Sequence, residues 1–411
     1  MSWKLERVNG GLAATEEELA GAASTREALL PRMQSSFSED LRQRVNRFLE
    51  DEISVGSFPG ATYVIGDSSG VLVQEALGHS VLKPAKILAT LDTIYDVASL
   101  TKPLITSTLV LHAVSEKLFE LGDPISRFLP ELDTSDKKDI TFLDLLTHRG
   151  GFQAWYPLYT QGIGDKAYLQ ALVKRPLRYR PGTREIYSCL GFVLLHLSLE
   201  RITGRRVEDL AGEWIFTPLA LENSLFSPPP SLKYRIAATE WGNSNERRMV
   251  ADRGLNFHRF RRYMIWGEVN DGNAYYMGGM AGNAGLFATA GDVFEIAHSY
   301  LIRNSRLLPA EMIESSIKNY TAGLEENRGL GWQLPSPRPS APSVMLSENS
   351  FGHTGFTGTS AWVDGDRDLV MILLTNRLHP SVQPLNMQTI RRKFHLLICE
   401  LWDERKAAFS S

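Results

Sequence analysis

Thr93-Ile94-Tyr95-Asp96-Val97-Ala98-Ser99-Leu100-Thr101-Lys102 joins a strand-like run, residues 93–97, to an apolar stretch, residues 100–114. The spacing of that stretch predicts a long helix, with Pro103 tolerated in its first turn. Ser99 then falls at a helix N-terminus, where free N–H groups and the positive dipole end favour the negative charge of an acyl-transfer step. Residues three apart share a helix face, so the Lys102 amine is predicted beside the Ser99 hydroxyl. Lys102 acts as a base only if burial or a neighbouring cation lowers its pKa; otherwise it is a fixed cation that holds a tyrosinate, and both roles stay open. Three further S-x-x-K spacings, Ser80/Lys83, Ser135/Lys138 and Ser315/Lys318, lack the strand before and the helix after.

On the N-terminal side, Leu41, Val45, Phe48, Leu49 and Ile53 recur at helical spacing, with Ser38 placed as an N-cap. Residues 61–65 and 71–77 read as strands joined through Asp67-Ser68-Ser69-Gly70, a hairpin signal. Toward the other end, residues 360–363 and 369–375 read as strands around Asp364-Gly365-Asp366-Arg367, and residues 388–402 carry helical spacing at Phe394, Leu397, Ile398 and Leu401. The middle is mostly helical pattern broken by Gly and Pro. The expected fold is therefore α/β (α+β): a mostly antiparallel sheet flanked by terminal helices, with a large helical insertion. Its expected division is an N-terminal extension, 1–37, a sheet domain from 38–103 and 288–405, and the insertion, 104–287, with the active site in the cleft between the last two. Residues 335–342, with four prolines, read as a surface loop.

Composition narrows the function. Hydrophobic residues make up 43% and charged residues 22% of 411, as in soluble globular enzymes. The net charge of −3 comes with scattered basic residues, which leaves no footprint for nucleic acid. Cys189 and Cys399 stand far apart, and no histidine pair has ligand spacing, so neither a disulfide, a metal site nor a cofactor is expected. The longest apolar runs are far too short for a membrane span, and residues 1–21 lack the apolar core of a secretory signal, so a cytoplasmic location is expected. The partner class left is a small-molecule or peptide substrate, with oligomeric state open.

Other segments, taken in order, carry a family resemblance. Residues 94–102, then Leu145-Leu146-Thr147-His148 with Gly150-Gly151, Arg180-Pro181-Gly182, Tyr187-Ser188, residues 284–292, and His353-Thr354-Gly355 together resemble the serine β-lactamase-related, penicillin-binding protein-like family. That family includes class C β-lactamases, low-molecular-weight penicillin-binding proteins, the penicillin-binding protein 4B group and esterases. The resemblance spans about residues 58–376 and implies the β-lactamase/transpeptidase-like fold and an acyl-enzyme on Ser99.

By the same resemblance, Tyr187 lies beside the serine and, kept as a tyrosinate near Lys102, takes its proton and returns it to the leaving group. His353, Thr354 and Gly355 match the motif on the edge strand that pairs with substrate, and the N–H groups of Ser99 and Phe356 match the oxyanion hole. His353 stands where lactamases and carboxypeptidases usually have lysine, which removes a permanent cation for a substrate carboxylate. Cys189 occupies the position of a substrate-positioning Asn or Asp, and is expected there as a small buried hydrophobe. Asn270 and Asn283 stand where the 4B group tends to have histidine. Trp155, Tyr156, Tyr159, Trp241, Trp266, Tyr275 and Tyr276 are candidates for lining an apolar cleft. The expected activity is a serine hydrolase, carboxylesterase-like on small esters, amides or lactones first, D-alanyl peptidase second and β-lactamase third. The rival is a catalytically reduced binding protein that keeps the fold.

Overall fold

Strands β1 (Gly60–Asp67) and β8 (Leu369–Thr375) are buried on nearly every residue, as Val/Ile/Leu-rich runs at the centre of a two-sided sheet should be. Alternation then assigns their faces. Tyr63, Ile65, Met371 and Leu373 point to one side, where they meet Leu41, Val45 and Leu49 of α1 (Glu16–Ser54) and Phe394, Ile398 and Trp402 of α11 (Met387–Ser410). Val64, Val370, Ile372 and Leu374 point to the other side, onto Val293, Phe294 and Ile296 of α9 (Ala290–His298) and the larger helical core.

The computed structural model describes residues 16–134, 136–301, 305–336 and 346–410. The remaining strands are β2 (Gly70–Val81), β3 (Ile87–Leu88), β4 (Tyr95–Asp96), β5 (Phe287–Ala288), β6 (Ser350–Thr354) and β7 (Ser360–Asp364). Six of the eight form one antiparallel sheet in the order β3-β2-β1-β8-β7-β6, and β4 pairs with β5 separately. Thus β6 is an edge strand. Its Gly352 exchanges N–H and C=O bonds of 3.0 and 2.9 Å with Gln333, outside the sheet. Between β4 and β5 the chain is mostly short helices: α2 (Thr108–Ser115), α3 (Phe142–Leu146), α4 (Asp165–Lys174), α5 (Cys189–Thr203), α6 (Val207–Ala211), α7 (Ser244–Ala251) and α8 (Gly272–Tyr276), with α10 (Ala310–Ile317) after α9. Sheet, flanking terminal helices and helical middle make this a mixed α/β fold with a mostly antiparallel sheet.

Two local expectations are corrected. Ser38 lies inside α1 and caps nothing, because the helix runs on through the weakly periodic residues before it. The helix after Ser99 is not continuous α: a 3₁₀ turn, Ala98–Leu100, passes to a π-helical stretch, Lys102–Ser107, and only then to α2. Single π turns inside helices recur at functional sites. Residues 1–15, Ser135 and most of the proline tract at 335–342 lie outside the described residues. No helix among the described residues is long and apolar enough to cross a membrane.

Candidate active site

Ser99 is presented by a turn that the rest of the fold holds in a strained shape. Ala98 takes φ 49°, a left-handed conformation that costs a residue with a Cβ about 1 kcal/mol or more. Asp96 clamps it, accepting the Ala98 N–H at 2.9 Å and the Asn270 N–H at 2.7 Å. Burial pushes the Asp96 carboxyl up to about 6. Thr357 and Thr359, just beyond β6, donate their hydroxyls to the carbonyls of Asp96 and Val97 at 2.7 and 2.9 Å, and Thr101 donates to that of Ala98 at 2.7 Å. The turn is thereby tied to the strand carrying His353.

Lys102 is fully buried and donates to Ser99 Oγ at 3.0 Å and to the Asn283 carbonyl at 2.9 Å, with Nζ 5.0 Å from the centre of the Tyr187 ring. Burial pushes the ammonium down, but Cys189 and Tyr187 push it up and the net is upward. Burial raises both the Tyr187 phenol and the Cys189 thiol, while hydrogen bonding to Lys102 opposes each rise. The resting cluster is a lysine ammonium with a neutral phenol and a neutral thiol. Ser99 and Tyr187 line the same cavities and both sit against Lys102, so a proton path runs from the serine hydroxyl to the Lys102–Tyr187 pair.

Two buried histidines back the cluster. His148, itself at φ 58°, accepts the Ser188 N–H at Nδ1 (3.1 Å), and its ring lies 4.6 Å from that of Tyr187. His353 contacts the Thr354 carbonyl through Nδ1 at 2.8 Å. Burial, Lys102 and Arg328 hold both imidazoles well below 6.5, so both are neutral near pH 7. Asn283 leaves its side-chain oxygen buried without a partner.

Ser99, Tyr187 and Phe356 divide two cavities. The larger, about 470 Å³, runs along His353, Thr354 and Gly355 and is walled by Glu326, Arg328, Arg377 and Arg391. Arg328 is paired with buried Glu185 at 2.9 Å. Arg377 Nε donates to the Phe356 carbonyl at 2.8 Å, and Arg391 Nη2 donates to the carbonyls of Gly355 and Thr359 at 2.6 and 2.8 Å. These bonds brace the loop that carries the Phe356 N–H, which no described acceptor engages. Neither Arg377 nor Arg391 has an ion-pair partner among the described residues; burial lowers Arg391 to about 9, which leaves it a cation at neutral pH. The smaller cavity, about 220 Å³, is walled by Trp155, Cys189, Glu246, Met249, Asn270 and Asp271.

A family model named Beta-lactamase matches residues 41–392. The chain belongs to the beta-lactamase family. Within it, the chain is 31% identical over 383 residues, 85% of each chain, to an Escherichia coli K12 protein named "Putative D-alanyl-D-alanine carboxypeptidase", and 28% identical over 380 residues to a Salmonella agona protein of the same name. Among solved structures, the octameric penicillin-binding protein homologue from Pyrococcus abyssi superposes with a TM-score of 0.68 at 19% identity, covering 87% of this chain and 77% of that one. EstCE1, a hydrolase with promiscuous acyltransferase activity, gives 0.65 at 18% identity, covering 89% and 100%. The chain is a hydrolase with the beta-lactamase fold.

Ser99, Lys102, Tyr187, His353, Thr354, Gly355 and Phe356 all meet at this cleft. Cys189 is not the buried core residue expected: it is half-buried, faces the smaller cavity and touches Lys102 and Tyr187. Asn270 supplies its N–H to Asp96, and Asn283 its carbonyl to Lys102, so their backbone groups hold the cluster together. Of the seven aromatics, Trp155 lines the cleft; Tyr275 and Tyr276 face a separate surface hollow, and Trp241 is exposed. Missed entirely were Arg328, Arg377, Arg391, Glu246 and Asp271, which no local spacing marks.

Proposed function

We propose that this chain is an acyl-serine hydrolase of short peptides whose leaving group ends in a carboxylate, of the D-alanyl-D-alanine carboxypeptidase type. The observation that carries this reading is that Ser99 Oγ, 3.0 Å from Lys102 Nζ, opens into a cavity whose wall holds Arg377 and Arg391, neither with an ion-pair partner among the described residues. His353 takes away one cation, and these arginines supply others, so a substrate carboxylate has charge-assisted partners. Ser99 is the nucleophile. In the active form the pair has lost one proton, leaving the Lys102 ammonium beside a Tyr187 tyrosinate; Ser99 Oγ bonds to the carbonyl carbon while its proton passes to Tyr187, and the C–N bond then breaks as the amine leaves with that proton. Water, deprotonated by the same pair, releases the acyl group. The N–H groups of Ser99 and Phe356 hold the oxyanion, and the net upward shift of Lys102 favours its role as a fixed cation beside tyrosinate.

The second reading, a carboxylesterase, is favoured by Cys189, whose thiol positions a substrate amide poorly, and by Trp155 and Met249 in the smaller cavity. A fluorophosphonate probe followed by peptide mapping should label Ser99, and kcat/KM for D-alanyl-D-alanine should exceed that for its C-terminal amide. Labelling that persists in Ser99→Ala sinks both readings, and equal rates for acid and amide sink the first.

A further inference from the structure

We infer that the smaller cavity is a subsite for a protonated amine on the acyl residue, which makes the preferred substrate a short peptide with a free N-terminus. This deepens the reading above and rests on it.

The two cavities that meet at Ser99 differ in charge: the larger has Glu326 but three arginines, and the smaller has acidic side chains and no basic one among the described residues. Asp271 and Glu246 are the acidic side chains on the wall of the smaller one. Each is fixed in place. Asp271 Oδ1 accepts the Ala274 N–H at 2.8 Å as the cap of α8, and its Oδ2 takes no hydrogen bond from a described residue. Glu246, on α7, accepts the Gly272 N–H at 2.7 Å and the Tyr159 hydroxyl at 2.9 Å. Lys102 feels the Asp271 carboxylate, yet burial and that same carboxylate still push Glu246 up to about 8, and Arg261 offsets this only slightly. An entering ammonium gives the Asp271 carboxylate a counter-charge within the cavity. A volume of about 220 Å³ suits a single aminoacyl residue.

The larger cavity carries the complementary charge. Arg391 is 4% exposed, its Nε has no partner, and it lies on the same wall as Arg377. In a peptide with both ends free, the ammonium belongs to the acyl residue and the carboxylate to the leaving residue. Only one orientation over Ser99 puts each charge against its opposite.

The test is calorimetric titration of Ser99→Ala, which binds without turnover, using D-alanyl-D-alanine, its N-acetyl derivative and its C-terminal amide. Acetylation and amidation should each weaken binding at least about tenfold, the loss of one charge-assisted contact. Adding Asp271→Asn, whose amide oxygen still caps α8, should shrink the acetylation penalty to under about threefold and leave the amidation penalty in place. Asp271→Ser, whose hydroxyl also serves as a helix cap, should act the same way and covers the case in which Asp271→Asn fails to fold. Equal binding of the free and acetylated peptides, no detectable binding of either, or a penalty that survives both substitutions overturns the inference. A wild type that binds with this preference but does not cleave the dipeptide leaves the subsite standing and removes the carboxypeptidase reading instead.

Discussion

Removing the Glu185 carboxylate should destabilise this protein far more than removing both members of its ion pair. Glu185 and Arg328 meet at 2.9 Å with side chains 2% and 8% exposed. Burial pushes the Glu185 carboxyl above the usual range, and Arg328 pulls it back only in part, so desolvation outweighs attraction. Glu185→Ala leaves the Arg328 cation buried beside the Tyr187 ring, 5.6 Å from its centre. Breaking a buried pair from one side costs about 3–5 kcal/mol, whereas replacing both partners with apolar residues is often neutral. At roughly 2.1 cal/mol/K of unfolding entropy per residue over 411 residues, that cost lowers Tm by about 3–6 °C. Calorimetric melting of Glu185→Ala and of Glu185→Met with Arg328→Met separates the two cases. A double variant as unstable as the single, or a single as stable as wild type, refutes the desolvation argument.

Three further outcomes are expected. Lys102→Ala and Tyr187→Phe should each lower kcat by roughly 100- to 10,000-fold, as loss of a general acid–base partner does, and a near-native rate in either misplaces the proton path. Because His148 and His353 are held neutral well below 6.5 while the Lys102–Tyr187 pair is shifted upward, kcat/KM should rise through the alkaline range with no inflection near 6.5; a clear inflection there assigns a histidine to the chemistry. Glu246 titrates at about 8 when folded and near 4.5 when unfolded, so its contribution to stability is complete below 4.5 and lost as pH rises toward 8. Glu246→Gln should flatten the stability loss across that window, and an unchanged slope shows that the carboxyl is solvated.

Much of the architecture was legible because it rests on period-two and period-3.6 burial. The central strands at residues 61–65 and 369–375, and the helix that bears Phe394 and Ile398, fell where the pattern put them. The nucleophile turn was legible in position but not in shape: Asp96 is an ordinary carboxylate in sequence and becomes the clamp on Ala98 only once Asn270 arrives, 174 residues later. The arginine wall was invisible for the same reason. Arg328 comes from a loop, Arg377 follows β8 and Arg391 sits on α11, so three chain segments converge with no shared spacing. His353 was read as a deficit of positive charge because it stands where lactamases and carboxypeptidases usually have lysine, whereas its neighbours in space are Lys102 and Arg328.

The Gln333 contact on β6 bears on more than the cleft. A bare edge strand invites a second molecule to add to the sheet and so to seed aggregation. Here the far edge is the two-residue β3, too short to template growth, and the near edge is stoppered at Gly352 by both main-chain bonds from Gln333. The end of β6 at Thr354 opens into the substrate cleft. A chain segment from another copy would have to displace Gln333 before it could pair, while a substrate one or two residues long fits the gap. Keeping the protein from polymerising through this edge and keeping a slot for substrate backbone are thus achieved by the same glutamine.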